Sequence, residues 1–179
     1  MSLHAFVDES RRNSTYLLAA ALVEPRQLSH LRKLLMGLRM PNQRELHFKK
    51  ETPARRRLIV SRLIDADVRT DLYVACCRRG EEKARQRCVT RLTDDLLDVR
   101  AHRLVMDSRE VRDEHDQLTI RLALGKRARE TGLVYEHLAS ENDPLLWIPD
   151  IVAWCYGAGD DWLRRIKPTV RNVIDLREP

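Results

Sequence analysis

His4-Ala5-Phe6-Val7-Asp8-Glu9-Ser10, followed after a polar turn by Tyr16-Leu17-Leu18-Ala19-Ala20-Ala21-Leu22-Val23, decides the fold class. His4 to Asp8 reads as a first strand. The polar run Glu9 to Thr15 follows it, with Asn13-Ser14 as a turn signal. Tyr16 to Val23 is an apolar run of strand length, far short of the roughly 18 residues that span a bilayer. So short a connection implies an antiparallel hairpin.

Beyond the hairpin the period changes. Pro25 opens a helix whose apolar face is Leu28, Leu31, Leu34, Leu35 and Leu38. Glu45 to Phe48 reads as a short extended piece. Thr52-Pro53 is an N-cap followed by a first-turn proline, and Leu58, Ile59, Leu63 and Ile64 mark the helix after it. Val68 to Cys76 alternates as a strand does. Ala84, Cys88, Leu92, Leu96 and Val99 return to helical spacing. Arg103 to Asp107 and Leu133 to Leu138 read as strands, with a polar helix from Asp113 to about Glu130 between them. Pro149 to Tyr156 is a short apolar helix, Trp162 to Ile166 one more turn, and Val170 to Leu176 an extended tail. Two leading strands followed by alternating helices and strands predict an α/β fold, a mixed β-sheet with flanking helices. No repeat or linker divides the chain, so residues 1–179 are expected to form a single domain.

Composition narrows the function. Hydrophobic residues make up 43% and charged residues 34%, too apolar a balance for disorder. No run is long enough to cross a membrane, and the first residues lack the basic flank and apolar stretch of a secretion signal. The four cysteines form no C-x-x-C pair, which disfavours a zinc ribbon and suits reduced thiols in the cytoplasm. Six glycines and no glycine-rich phosphate loop disfavour Rossmann and P-loop enzymes. The net charge of +6 suits a polyanionic partner such as nucleic acid, although arginine-rich coding bias gives the same balance.

Four acids sit where a charge is awkward unless used. Asp8 ends Phe6-Val7, Asp107 ends Leu104-Val105-Met106, Asp150 interrupts Trp147-Ile148 and Ile151-Val152, and Glu45 precedes Leu46-His47-Phe48. Singly, each has a structural explanation, a polar turn, a helix dipole or an ion pair. If the two strand ends are adjacent and point the same way, both carboxylates emerge at one edge of the sheet. Clustered carboxylates raise each other's pKa, and hard divalent ions such as Mg²⁺ or Mn²⁺ relieve the repulsion. Two such ions about 3.5–4 Å apart clamp the attacking and leaving oxygens of a phosphodiester. Asp113-Glu114-His115-Asp116 is metal-like in composition, but its place at a helix start favours capping. Trp147 and Trp154 read as core packing, and neither a serine triad nor a reactive thiol is credible.

Phe6-Val7-Asp8-Glu9-Ser10 with the second apolar strand, Glu45-Leu46-His47, Val105-Met106-Asp107 and Pro149-Asp150-Ile151-Val152 together resemble the domain-of-unknown-function 3800 family, over residues 5 to about 157. The resemblance implies a ribonuclease H-like fold and a metal-dependent nuclease centre. It carries Asp8, Glu45, Asp107 and Asp150 over as catalytic, metal-binding carboxylates for Mg²⁺ or Mn²⁺. Glu9 is either a further ligand or a residue that shapes the turn. On a strand, His47 shares a face with Glu45, as a ligand, an acid or a phosphate contact, or as a hydrogen-bonded, partly buried histidine with a structural role. Arg11, Arg12, Lys49 and Lys50 are the expected nucleic-acid contacts, and Arg55-Arg56-Arg57 and Arg164-Arg165 are further basic groups. Arg11 stands where the family has glycine, and Pro149 where it has alanine. These departures leave open an inactive nucleic-acid- or protein-binding module on the same fold, with a protein partner or a homodimer.

Overall fold

β1 (His4–Arg12) and β2 (Thr15–Val23) form the expected antiparallel hairpin, with Phe6 opposite Ala21 and Asp8 opposite Ala19. Asn13 makes the turn at φ 52°, in the left-handed region that asparagine tolerates. The structure, a computed structural model, describes residues 3–177. The strand does not stop at Asp8, as its polar sequence suggested. Pairing with β2 carries it four residues further, to Arg12, because tertiary pairing overrides local polarity.

β3 (Arg69–Cys76) continues antiparallel to β2. β4 (Arg103–Asp107) lies parallel to β1 on its other side, with Phe6 beside Val105 and Val7 beside Met106. β5 (Val134–Leu138) and β6 (Val170–Asp175) add parallel strands at the two edges, giving the order β5-β4-β1-β2-β3-β6. Every strand but β2 therefore runs the same way, and β1, β4 and β5 all end at one edge of the sheet. The expected mixed sheet with flanking helices is present.

Helices cover both faces, which is why β2 is apolar without alternation. On one face Phe6, Leu17, Ala19, Ala21, Leu72, Val74 and Val105 meet α1 (Pro25–Leu38), α2 (Pro53–Asp65) and α5 (Trp147–Ala158). Ala19 and Ala21 keep this surface low, and α5 packs on β1 and β2 through Ile148, Ile151, Val152 and Cys155, all fully buried. On the other face Val7, Tyr16, Leu18, Ala20, Leu104 and Met106 meet α3 (Glu81–Asp98) and α4 (Asp113–Leu124). α6 (Asp160–Ile166) follows α5 and supports its C-terminal end.

Local signals set most boundaries. Glu24 and Gln27 form a capping box ahead of Pro25, and Thr52 Oγ1 accepts from the Arg55 N–H at 3.3 Å. Three expectations are corrected. Glu45 to Phe48 is not extended: residues 39–47 are irregular and Phe48–Lys50 make a single 3-10 turn. α4 stops at Leu124, not near Glu130, because Gly125 takes φ 50°. α5 begins two residues before Pro149, at Trp147, and the preceding Asp143 caps the turn into it through the Leu145 N–H. All four cysteines are free.

Candidate active site

The strand period decides which acids meet. Asp8 follows Phe6 on the α5 face of β1, and Asp107 follows Val105 on the same face of β4. Since β1 and β4 are parallel neighbours, both carboxylates emerge at the edge where these strands end. Asp150, in the first turn of α5, comes down on them from above the sheet. Glu45 arrives from the irregular segment after α1. Its carboxylate is held by the Ser140 hydroxyl, and the Ser140 N–H is bonded to Asp107. The Ser140 carbonyl accepts from Trp147 Nε1 at 2.9 Å, which ties the β5–α5 loop to the start of α5.

The four acids sense one another. Burial raises the Asp8 pKa well above the ordinary carboxylate value, and the charges of Asp107 and Asp150 push it further. Asp107 is raised by burial and by Glu45, against the pull of Arg109. Asp150 is pushed up to about 6 by burial, Asp107 and Glu45, with Arg109 and His47 acting in the opposite sense. Few cations answer this charge. Arg109 Nη2 lies 3.6 Å from Asp8 Oδ1, and His47 Nε2 lies 3.4 Å from Glu45 Oε1. The donors are oxygens with one imidazole beside them, a set that suits a hard divalent ion.

Glu9 goes elsewhere. As the next residue on β1 it faces α3 and α4, so it is not brought to Asp8 and Asp107 as the reading of it as a further ligand required. Tyr16 donates its hydroxyl to Glu9, the Arg85 guanidinium pairs with it, and Arg109 Nη1 lies 3.3 Å away. Arg85, only 2% exposed, also grips Asp116 with two hydrogen bonds of 2.7 and 2.5 Å. His137 Nε2 stands 3.4 Å from Asp116 Oδ2. Burial works to raise the Asp116 pKa, but the hydrogen bonds from Arg85 and His137 outweigh it and hold this carboxyl below its ordinary value.

Asp113, Asp116 and His137 are spaced closely enough to hold an ion, with ligand atoms within 4.8 Å of one another. Both Asp116 oxygens are already engaged by a guanidinium, however, and an ion there would face that positive charge. Asp113 does not cap α4, whose N-cap is Arg112, as the sequence suggested; it accepts from the Ser108 hydroxyl at 2.6 Å and the Arg109 N–H at 2.9 Å in the turn before the helix. It thereby shapes the turn that delivers Arg109.

The expected basic contacts divide in the same way. Arg11 faces α3 and pairs with Glu81 at 2.8 Å. Arg12 faces α5, its guanidinium 5.2 Å from the centre of the Trp154 ring. Lys49 and Lys50 are exposed on the 3-10 turn beside it. Among the other basic groups, Arg55 is committed to Glu51 and the Leu38 carbonyl, and Arg164 and Arg165 to Asp161. An open groove of about 450 Å³ runs past Asp150, Arg109, Arg12, Lys49 and Trp154.

The arrangement of strands and helices is similar to that of a solved structure. A chain of the PCNA:RNase HII complex from Archaeoglobus fulgidus superposes with a TM-score of 0.56 at 17% identity, over 92% of this chain and 76% of that one. The fold is ribonuclease H-like. No family model and no curated protein matches the chain, so the comparisons do not show the domain-of-unknown-function 3800 family. Within the ribonuclease H-like domain, sequence reasoning missed Arg109 and Ser140. Arg109 lies only two residues past the Asp107 strand end, but its partners come from β1. Ser140 carries no signal of its own in the sequence.

Proposed function

We propose that this ribonuclease H-like chain is a divalent-metal-dependent nuclease that hydrolyses phosphodiester bonds of nucleic acid at Asp8, Glu45, Asp107 and Asp150. The observation that carries the reading is the convergence of these carboxylates from three elements and a loop at one strand edge, with too little positive charge to balance them. Repulsion of this kind costs stability, and a protein keeps it only where something else is gained. Mg²⁺ or Mn²⁺ fits the donor set; when held there, such an ion supplies Lewis acidity toward the phosphodiester and the attacking water.

The chain's own groups do the rest. Asp8 and Asp107 sit on rigid strands and set the spacing of the site. Ser140 orients Glu45. Asp150, at the start of α5, closes the cluster from above the sheet and would complete the set of oxygens that hold the ion. Arg109 supplies a mobile positive charge that can leave Asp8 for a phosphate oxygen. His47, half-exposed beside Glu45, supplies an imidazole that can contact a phosphate oxygen. Reduced cysteines and the lack, among the described residues, of a helix able to cross a membrane suit a cytoplasmic setting.

The test is cleavage of labelled DNA and RNA with Mg²⁺ or Mn²⁺. Wild type should cut at least one of them and stop when EDTA is added. Asp8→Asn should be folded and inactive. Cleavage by Asp8→Asn at the wild-type rate would remove Asp8 from the chemistry.

A further inference from the structure

We infer that Arg12, laid across Trp154 and backed by Lys49, forms a separate phosphate-binding subsite for a substrate strand passing through the carboxylate site. This rests on the nucleic-acid reading above but adds to it a built anion site beyond the reacting carboxylates.

Asp8, Ser10 and Arg12 occupy successive positions on the same face of β1, so Arg12 lies roughly 13 Å beyond Asp8 along the strand. The open groove runs from Asp150, one of the four carboxylates, past Glu9 and Arg109 to Arg12 and Lys49. A strand bound for cleavage at the carboxylates would therefore continue over Arg12.

The surroundings hold Arg12 in position without neutralising it. Its guanidinium rests on the Trp154 ring, and that ring is fixed edge-on by Phe48 and Trp162, with centres 5.3 and 5.8 Å away. Arg56 packs on the same indole at 4.4 Å. Its guanidinium is spent on two backbone carbonyls, those of Phe48 at 3.0 Å and Lys49 at 2.5 Å. That grip fixes the backbone from which Lys49 projects. Gly157 leaves room for the arginine: a Cβ there would stand 3.1 Å from Arg12 Cδ and Nε. Among the described residues no carboxylate pairs with Arg12, whereas Arg11, its neighbour on the other face, is paired with Glu81. A cation–π contact orders a guanidinium yet leaves its donors in the ring plane free. An unpaired, ordered guanidinium beside an exposed lysine is suited to a phosphate oxygen pair.

The experiment is binding of a labelled oligonucleotide in EDTA, at several salt concentrations, to wild type, Arg12→Ala, Arg12→Lys, Gly157→Ala and the control Arg69→Ala, whose guanidinium is paired with Asp67 at the start of β3. Thermal unfolding checks that each variant is folded. Arg12→Ala should weaken binding on the order of tenfold at low salt. It should also flatten the slope of log affinity against log salt by about 0.7–0.9, the signature of one lost phosphate contact. Arg12→Lys should fall between, and Gly157→Ala, whose Cβ presses on both Arg12 and Leu17 at 3.1 Å, should weaken binding less than Arg12→Ala. The control should match wild type. A folded Arg12→Ala that binds within twofold of wild type with an unchanged slope overturns the subsite, as does a wild type that binds no oligonucleotide at low salt. If Arg12→Ala loses affinity while wild type does not cleave with Mn²⁺, the subsite stands and the catalytic reading falls.

Discussion

Asp8 and Glu9 are neighbours on one strand and live in opposite electrostatic worlds. On the α5 face, Asp8 joins Asp107, Asp150 and Glu45, and the group is short of positive charge. On the α3 face, Glu9 joins Asp116 and Asp113, and Arg85, Tyr16 and His137 answer them. Both clusters look alike as a list of acids near strand ends. The difference is compensation. Paired, hydrogen-bonded carboxylates hold the fold together, whereas unpaired ones store repulsion that a bound cation can release.

Four experiments would break or sharpen this contrast. The largest effect belongs to Arg85→Ala. Removing one partner of a buried ion network leaves Glu9 and Asp116 uncompensated, and stability should drop by about 3–5 kcal/mol in denaturant unfolding. Asp107→Asn should do the opposite. It relieves repulsion, so the metal-free protein should be as stable as wild type or more so, while cleavage falls at least about a hundredfold. A destabilised Asp107→Asn would mean that the α5-face acids are structural too.

The third experiment is pH dependence. Asp8, Asp107 and Asp150 have folded-state pKa values raised above their unfolded ones, so their contribution to stability is complete below the unfolded pKa and is lost as pH rises through the folded values, about 6 for Asp150. Metal-free protein should thus lose thermal stability as pH rises from about 4 through about 6, where Asp150 titrates, with Asp8 and Asp107 adding to the loss. Mn²⁺ should restore it at pH 8 and do little at pH 5, where protonated carboxyls bind it weakly. Asp116 has a depressed pKa and contributes with the opposite sign, losing stability as pH falls through its folded value, so Asp116→Asn should leave the rise below pH 8 intact. The smallest effect is that of Arg109→Ala. Without its positive charge beside Asp8, Mn²⁺ affinity by calorimetry should increase a few-fold, while oligonucleotide affinity declines by a similar factor.

The hairpin, the order of elements and the four candidate carboxylates were legible because most of these signals are local. Asp8, Asp107 and Asp150 each interrupt an apolar run, and a charge in such a place is visible in one dimension. Glu9 was left open between a ligand and a turn residue, and its place on the far face was hidden for a physical reason. Its strand seemed to end in polar residues, whereas pairing with β2 prolongs it, and strict alternation then sends the next side chain through to the other face. What covers that face, Arg85, is 76 positions away in sequence and reads there as one more arginine on a helix. Ser140 and Arg109 act through contacts made only in the folded state. The basic pairs were over-read in one respect: Arg11 and Arg12 are not a unit, since one is neutralised by Glu81 and the other lies over Trp154.

Calorimetric titration of Mn²⁺ at pH 7.5 into wild type, the Asp8→Asn/Asp107→Asn double variant and an Asp113→Asn/His137→Gln double variant tests the central claim most directly. Wild type and the Asp113/His137 variant should bind the ion alike, and the Asp8/Asp107 variant should not bind it. Unchanged binding in the Asp8/Asp107 variant, with loss in the other, would move the metal to the α3 face and contradict the assignment of the active site.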